Sequence, residues 1–272
     1  MNKDLEITRQ VGVHLAHYMR NFKNDWVGIF LQGSQNYNLD TETSDVDTKI
    51  IVLPSFEDIV LNRQPISTTS ILPNNEHCDV KDIRLMFDCF KKQNINFLEI
   101  LFTKYFIINP KYCDLFMPVI KSREDIARYN NYAAVHCILG TANEKRKGLC
   151  KAHPSVQHLI DQHGYDAKQL HHMERLLEFY YRYINDEPYE ACLVSNCREV
   201  LIPIKQYSWD LDHAVARADN IISILETAVK EYRESVGLIV NRDVEELLKS
   251  VLCNIIAHSI RSELEAQNNG WQ

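Results

Sequence analysis

The segment spanning residues 26–54 constrains the fold more than any other part of the chain. An apolar run at 26–31 ends at Gly33-Ser34, a polar stretch follows, and Asp45-Val46-Asp47 opens a second apolar run that stops at Pro54. Short apolar runs bounded by turn residues are typical of buried strands. We therefore predict strands at 26–31 and 46–53, with a glycine–serine bend after the first and two acids at the start of the second.

The two acids indicate a divalent metal site. Side chains alternate between the faces of a strand, so Asp45 and Asp47 share one face while Val46 faces a core. Two adjacent carboxylates repel each other unless a cation lies between them, and Mg²⁺, or Mn²⁺ in its place, prefers oxygen ligands. Gly33 lets backbone N–H groups approach a phosphate, and the Ser34 hydroxyl adds a donor. Each motif alone usually means a turn, whereas the ordered set predicts nucleotidyl transfer from a nucleoside triphosphate (NTP).

A third acid would complete a two-metal site. Asp79 is the preferred candidate, because it is an acid flanked by Cys78 and Val80 on a strand predicted at 77–83. It would act as a metal ligand and possible general base. Asp82 and Glu76 lie close in sequence and remain alternatives.

The rest of the pattern predicts an α+β fold. The first half favours helices at 3–23, 55–63, 84–92 and 96–102, and a loop at 65–75 rich in Ser, Thr, Asn and Pro. After about residue 120 the strand signals largely vanish, and helical periodicity covers 121–147, 166–184, 189–204, 212–234 and 241–265. We predict a domain with a small mixed sheet at 1–118 and an all-helical domain at 119–272.

Composition limits the classes of partner. The formal net charge of the 272 residues is −7, so any basic surface for nucleic acid must be local. No apolar run reaches the roughly 18 residues that a membrane span needs, so no membrane partner is expected. With no signal peptide at the start and no C-x-x-C pair among the eight cysteines, we expect reduced thiols in a cytoplasmic protein. The sequence does not determine the oligomeric state.

A cationic stripe marks the helical half. Lys168, His172 and Arg175 are spaced i, i+4, i+7 and share one face of the predicted helix, which suits a triphosphate. The alternative is a solvated stripe paired with Glu174 and Glu178. A second basic cluster, Lys145-Arg146-Lys147 with Lys151, would either contact a polynucleotide backbone or simply complement the dipole of a helix end.

Three stretches resemble a known superfamily. Gly33-Ser34 with Tyr37-Asn38-Leu39 and Ser44-Asp45-Val46-Asp47 resembles the DNA polymerase β-type nucleotidyltransferases, with Asn38 where a glycine is usual. The run at 94–102 and the Lys168, His172, Arg175-Leu176-Leu177 set are similar to motifs of the narrower YcgL/RlaP group of predicted RNA-repair nucleotidyltransferases. A turn at 205–209 resembles a later basic turn of that group.

The resemblance implies a polymerase β-like domain followed by a helical C-terminal domain, an NTP such as ATP as donor, and Mg²⁺. It implies that Asp45, Asp47 and Asp79 carry the metals, and that Gly33, Ser34, Lys168, His172, Arg175 and Lys205 bind the nucleotide. The implied acceptor is an RNA 3′ end. Alternatives are nucleotidylation of a protein or small molecule, or a non-catalytic NTP-binding or antitoxin-like interaction protein, although such a binder would usually have lost one of the acids.

Overall fold

The computed structural model describes residues 3–269 and divides into two compact units. The first unit comprises the chain up to Asn36, Asp40–Tyr129, and the chain from Asn241 onward. The second comprises Tyr37–Leu39 and Asn130–Val240. The short segment at 37–39 therefore belongs to the second unit, although the residues on either side of it belong to the first.

The first unit is built on a mixed sheet of five strands in the order β3-β4-β2-β1-β5. Strands β2 and β4 are parallel, and the other neighbouring pairs are antiparallel. The fold class is therefore the predicted one, α+β with a small mixed sheet. The strands are β1 Trp26–Gln32, β2 Asp47–Val52, β3 Ser67–Ile71, β4 His77–Asp82 and β5 Phe106–Ile108.

Helix α1, Lys3–Asn21, covers one face of this sheet. Its buried residues Ile7, Val11 and Tyr18 pack against the alternate residues of the strands that point toward them. Those strand residues are Ile29, Leu31, Ile50, Val52, Cys78 and Val80. Because side chains alternate along a strand, the intervening positions of β2 and β4 lie on the opposite face, and several of them are charged.

The loop predicted at 65–75 is wrong in part, because residues Ser67–Ile71 form strand β3. Its side chains are almost all exposed, so it has none of the apolar alternation that marks a half-buried strand. It is an edge strand held by antiparallel backbone pairing with β4, from Ser67 opposite Lys81 to Ile71 opposite His77. Strand β5, at the other edge, is also absent from the predicted elements.

Among residues 3–269, seven α-helices and short 3₁₀ turns complete the first unit, and its last helix lies outside the predicted domain 1–118, so the predicted division into 1–118 and 119–272 is corrected. Helix α13 packs against α5 and α3 of the first unit through its apolar stripe, with His258 edge-on to Tyr112 at 5.6 Å. The helices are α1, α2 Phe56–Val60, α3 Ile83–Lys91, α4 Ile95–Leu98, α5 Cys113–Lys121, α6 Arg123–Arg128 and α13 Arg242–Asn269, and the 3₁₀ turns Glu99–Leu101 and Pro110–Tyr112 follow α4 and β5.

The second unit is helical. The helix predicted over 121–147 is interrupted, because Asn130 leaves the helical conformation and caps a new helix by accepting a hydrogen bond from the Ala133 N–H at 2.9 Å. Helix α9 lies at the centre and packs on α7, α10, α11 and α12. The helices are α7 Asn131–Gly148, α8 Gln157–His163, α9 Ala167–Ile184, α10 Tyr189–Leu193, α11 Arg198–Lys205 and α12 Leu211–Ser235.

Within residues 3–269, no helix combines the length and the apolar character that crossing a bilayer requires.

The placement of α13 predicts a stability effect. Leu248 is fully buried on α13, whereas Leu264 on the same helix is 36% exposed. We expect Leu248→Ala to lower the free energy of unfolding by about 2–5 kcal/mol through lost burial and an internal cavity. Leu264→Ala should change it by less than about 0.5 kcal/mol. Urea unfolding of both variants checks this, and equal effects would show that α13 does not stabilise the fold by packing.

Candidate active site

Pairing between neighbouring strands gathers the acids at one end of the sheet. Asp47 begins β2 opposite Gln32 of β1, and Lys49 of β2 is in register with Asp79 of β4. Residues in register on adjacent strands project to the same face, as do residues two apart on one strand. Gln32, Asp47, Lys49 and Asp79 therefore share the face opposite α1.

The glycine–serine bend lies next to the same strand end. Gly33 has φ +95°, in the left-handed region that favours glycine, and its N–H donates to Glu99 Oε2 at 3.2 Å. A 3₁₀ turn follows at Ser34–Tyr37, closed by the Asn36 N–H on the Gly33 carbonyl at 3.0 Å. Gln35 Nε2 donates to the Asp45 carbonyl at 2.6 Å. The bend and the first acid are thus held together directly.

Asp45 and Asp47 differ in their surroundings. Asp45 is exposed, and within the part of the chain that the structure describes its carboxylate makes no hydrogen bond or ion pair. Asp47 is half-buried, and its Oδ1 accepts from the His77 N–H at 2.9 Å, across the parallel pairing of β2 and β4. The two acids keep exposed surface for a ligand from solvent.

Asp79 lies in a polar, partly buried environment. Its Oδ1 accepts from the Thr69 hydroxyl at 2.6 Å and its Oδ2 from Gln32 Nε2 at 3.1 Å. Burial raises the pKa of Asp79, but the Thr69 hydrogen bond, the charge of Lys49 and the Gln32 hydrogen bond outweigh it, so the pKa lies below its ordinary value. Asp79 is therefore ionised at neutral pH.

The two rival acids have structural partners elsewhere. Asp82 is 1% exposed, caps α3 through the Arg84 N–H at 2.8 Å, and forms a two-pronged ion pair with the Arg84 guanidinium at 3.0 and 2.7 Å. Glu76 accepts from the Val46 N–H at 3.1 Å and contacts His14 Nε2 at 3.0 Å, and Gln10 also donates to it. Asp79 is the candidate that lies on the face of Asp47.

Sequence reasoning missed Lys49 and Glu99, which lie beside these acids. Lys49 is 3% exposed, and its Nζ is 3.7 Å from Asp79 Oδ2, 3.2 Å from the Asn96 carbonyl and 4.3 Å from the centre of the Phe97 ring. Burial lowers the pKa of Lys49 more than the charges of Glu99 and Asp79 raise it. The sequence could have indicated Lys49, because it lies in an apolar strand two residues after Asp47 and therefore shares the face of Asp47.

In the second unit, the cationic stripe is buried at Arg175, half-buried at His172 and exposed at Lys168. Arg175 on α9 is 4% exposed, and its guanidinium stacks 3.9 Å from the centre of the Tyr37 ring. The expected acidic partners are engaged elsewhere, Glu174 with Arg217 at 2.5 and 2.7 Å, and Glu178 with the Ser195 hydroxyl at 2.6 Å. The stripe therefore does not form the paired surface pattern that was its alternative interpretation.

His172 and Lys168 lie on the same face of α9. Burial, followed by the charges of Arg175 and Lys145, holds the pKa of His172 well below its ordinary value. Its neighbour His171 is structural, since its Nδ1 contacts the Leu201 carbonyl at 3.0 Å and burial lowers its pKa to about 4. Lys168 is exposed.

Lys205 contacts the 37–39 segment within the second unit. Its Nζ donates to the Leu39 carbonyl at 3.4 Å, and Arg198 donates to the Asn38 carbonyl at 2.6 Å. Asn38 has φ +60° and therefore adopts a left-handed conformation, which asparagine tolerates better than most residues. These contacts fix the path of the segment that follows the glycine–serine bend.

The acid set suits a hard divalent cation, since its donors are carboxylate oxygens and two of them keep exposed surface. Among residues 3–269, no three His, Cys, Asp or Glu side chains are grouped closely enough to hold a metal on their own. A cation bound through Asp45 and Asp47 would therefore complete its coordination with water or substrate oxygens, as Mg²⁺ commonly does.

Comparison with known proteins adds little to this geometry. No protein-family model matches the chain, and no curated protein matches it. Among solved structures, it is similar to a nucleotidyltransferase-like protein from Exiguobacterium sibiricum 255-15, with a TM-score of 0.28 and 11% identity, covering 84% of this chain and 74% of that chain. A likeness at this score carries no argument about fold or activity, so the site itself must carry the functional argument.

The backbone of Gly33 gives a first prediction for the site. A Cβ there would meet no atom within 4 Å, so the effect of Gly33→Ala comes from the positive φ alone. We expect a loss of about 1–2 kcal/mol in the free energy of unfolding. Gly140→Ala is the matched control, because that site is equally open but helical, and it should be neutral or stabilising by up to about 1 kcal/mol. Equal losses in the two variants, measured by urea unfolding, would contradict the strain argument.

Lys49 gives a second prediction. Lys49→Met removes the buried cation beside Asp79 and should lower the free energy of unfolding at pH 7 by about 3 kcal/mol. The lowered pKa of Asp79 stabilises the native state above the unfolded value of 3.8, and that contribution is lost as the pH falls through the native pKa. The difference in the free energy of unfolding between wild type and Lys49→Met should therefore become smaller as the pH is lowered from 7 toward 3.

The control is Lys81→Met on the same face, because the Lys81 ammonium is more exposed and donates to the Ser67 hydroxyl at 3.0 Å. It should change stability by less than about 0.5 kcal/mol. A Lys49→Met deficit that does not vary with pH would show that lost packing, rather than lost charge compensation, explains it.

Proposed function

We propose that this chain is a metal-dependent nucleotidyltransferase that transfers a nucleoside monophosphate from an NTP to an acceptor hydroxyl and releases pyrophosphate. The observation that carries the proposal is that the Gly33-Ser34 bend, which Gln35 ties to the Asp45 backbone, lies at the strand end where Asp47 begins β2, with Asp79 on the same face of the sheet. Hydrogen-bond donors for phosphate and carboxylates for a divalent cation lie side by side there. Catalysis would come mainly from positioning and charge neutralisation.

Each residue of the first unit has a proposed role. Asp45 and Asp47 hold Mg²⁺ or Mn²⁺, which would neutralise charge on the phosphates when bound. Gly33 and Ser34 offer N–H and hydroxyl donors to the phosphates. Asp79, ionised and hydrogen-bonded by Thr69 and Gln32, orients the acceptor hydroxyl and takes its proton.

The reaction follows from these roles. The acceptor oxygen attacks the α-phosphorus and forms a new P–O bond, while the bond from that phosphorus to the oxygen bridging the α- and β-phosphates breaks. Pyrophosphate leaves with the bonding electrons, and the hydroxyl proton moves to the Asp79 carboxylate. We propose an RNA 3′ hydroxyl as the acceptor, on the support of the sequence motifs shared with RNA-repair nucleotidyltransferases.

In the second unit, Lys168, His172 and Arg175 are proposed to bind phosphate groups. The burial of Arg175 and the engagement of Glu174 and Glu178 with other partners support this role over a surface ion-pair stripe. Lys205 contacts the Leu39 carbonyl, so its proposed contribution is to fix the 37–39 segment on which Arg175 stacks.

A label-transfer assay tests the proposal. The protein is incubated with each α-³²P-labelled NTP, Mg²⁺ or Mn²⁺, and an RNA oligonucleotide that ends in a 3′ hydroxyl. We expect label on the RNA, none when the RNA ends in a 3′ phosphate, and at least about a 100-fold lower rate for Asp47→Asn, the scale for losing one preorganised electrostatic contact.

Glu42→Gln is the matched control for this assay, because Glu42 is an exposed acid in the same loop as Asp45. It should retain the wild-type rate. Label on the protein instead of RNA would show that the acceptor is a protein hydroxyl, and the proposed nucleotidyl transfer would stand. NTP binding with no release of pyrophosphate under any condition would overturn the enzymatic proposal.

A further inference from the structure

The strongest unexplained feature is a buried guanidinium with unused donors. Arg175 is 4% exposed, and its Nε and Nη1 have no hydrogen-bond partner among the described residues. A buried charge without a partner is strongly destabilising, because the group has lost water and gained nothing in return. A partner from outside the chain, a bound anion, accounts for these unused N–H groups.

The contact between Arg175 and Tyr37 does not remove this need. The guanidinium lies over the Tyr37 ring at 3.9 Å, a cation–π contact that uses the flat face of the group. Its N–H donors point outward in the plane of the guanidinium and are not used by a stacking partner. Tyr37 therefore fixes the plane of the guanidinium and leaves its edge for hydrogen bonds to a ligand.

A further cation, Lys145, lies on the neighbouring helix α7, and Lys168 lies on the same face of α9 as Arg175. Burial lowers the pKa of Lys145 on α7, and the charges of Lys168 and Arg175 lower it further. Lys145 has an effect of the same kind on His172. Lys145 is half-buried on α7, which packs on α9, whereas its neighbours in the basic run are paired, Arg146 with Asp219 and Lys147 with Glu144.

Among the described residues, the nearby acids form no ion pair with this cluster. Asp166 raises the pKa of Lys145, but its two carboxylate oxygens accept from the Lys168 N–H at 2.9 Å and from Gln169 Nε2 at 2.8 Å. Glu144 is exposed and pairs with Lys147. Cations that repel one another in a partly buried place bind an anion with several charges better than one with a single charge.

We propose that Lys145, Lys168, His172 and Arg175 form a polyphosphate-binding site that is complete within the second unit. Its ligand is a compact chain of at least two phosphate groups, such as the triphosphate of a nucleotide. A phosphodiester of a nucleic-acid backbone fits less well, since each one brings a single charge. The inference rests on the proposed use of an NTP and deepens it by adding Lys145, which the sequence had placed in a separate basic cluster.

The test is calorimetric titration of inorganic tripolyphosphate into the full chain in EDTA, so that the metal site plays no part. Wild type should bind, and Lys145→Met and Arg175→Met should each weaken binding about 10-fold or more, the scale for losing a charge-assisted hydrogen bond. Lys145→Arg should bind within about threefold of wild type, because it keeps the charge. Lys147→Met, on the same helix but exposed and paired with Glu144, should bind within about twofold.

Stability of the Arg175 variant separates a ligand site from a structural role. An unpaired buried cation contributes little to folding, so Arg175→Met should unfold at a urea concentration equal to or above that of wild type, while binding is lost. A large loss of stability in Arg175→Met together with wild-type binding by Lys145→Met would overturn the proposal.

Other outcomes are equally decisive. No binding of tripolyphosphate by wild type, equal losses in Lys145→Met and Lys147→Met, or displacement of tripolyphosphate by an RNA oligonucleotide with hydroxyl ends would each overturn the site. Failure of the label-transfer assay with tripolyphosphate binding intact would overturn the proposed reaction and leave the site standing. Normal label transfer with an unchanged KM for NTP in Lys145→Met would overturn the polyphosphate site and leave the proposed reaction standing.

Discussion

The parallel pairing of β2 with β4 is the constraint on which the candidate site depends. It sets Lys49 in register with Asp79, and therefore places Asp79 on the face that carries Asp47. A slip of one residue would move every side chain of one strand to the other face and bury Asp79 against α1. The apolar residues Ile50, Val52, Cys78 and Val80 prevent that slip, because their burial under α1 fixes the register. Packing of the core therefore determines which charged side chains lie on the opposite face of the sheet.

Charge is distributed in opposite ways in the two units. In the first, the Asp79 carboxylate lies 3.7 Å from the buried ammonium of Lys49, and Asp45 and Asp47 keep exposed surface. In the second, cations collect around Arg175, whose N–H groups lack a protein partner. The charges of the two units therefore favour ligands of different sign, and we propose a divalent cation for the first unit and a phosphate-bearing anion for the second. The proposed nucleotidyl transfer uses both kinds of ligand, a divalent metal and a phosphate-bearing nucleotide.

The sequence predicted the parts of the fold whose signals are local. The strands around Gly33, Asp47 and Asp79 were found because their apolar runs end at turn residues. Strand β3 was missed because its exposed Ser and Thr side chains carry no alternation, and its existence depends on the backbone of β4, a distant partner. The return of α13 to the first unit was missed for a similar reason, since an apolar stripe shows that a helix is buried without showing against what.

For the candidate site, too, the sequence predicted local features and missed those that depend on distant partners. The glycine–serine bend and the paired acids could be recognised from spacing alone. The sequence preferred Asp79 and kept Asp82 as an alternative, and the coordinates show Asp82 capping α3 and pairing with Arg84. The spacing of Lys168, His172 and Arg175 placed them on one helix face, but burial of Arg175 and the approach of Lys145 arise from packing between helices that are far apart in sequence.

The most direct test of the central claim, that Asp45 and Asp47 hold a divalent cation, is a titration with Mn²⁺ followed by electron paramagnetic resonance. The free-ion signal should fall on addition of wild-type protein, recover when Mg²⁺ is added in excess, and remain unchanged with the double variant Asp45→Asn, Asp47→Asn. If the double variant removes Mn²⁺ from solution as effectively as wild type, the two acids do not form the metal site and the account is wrong.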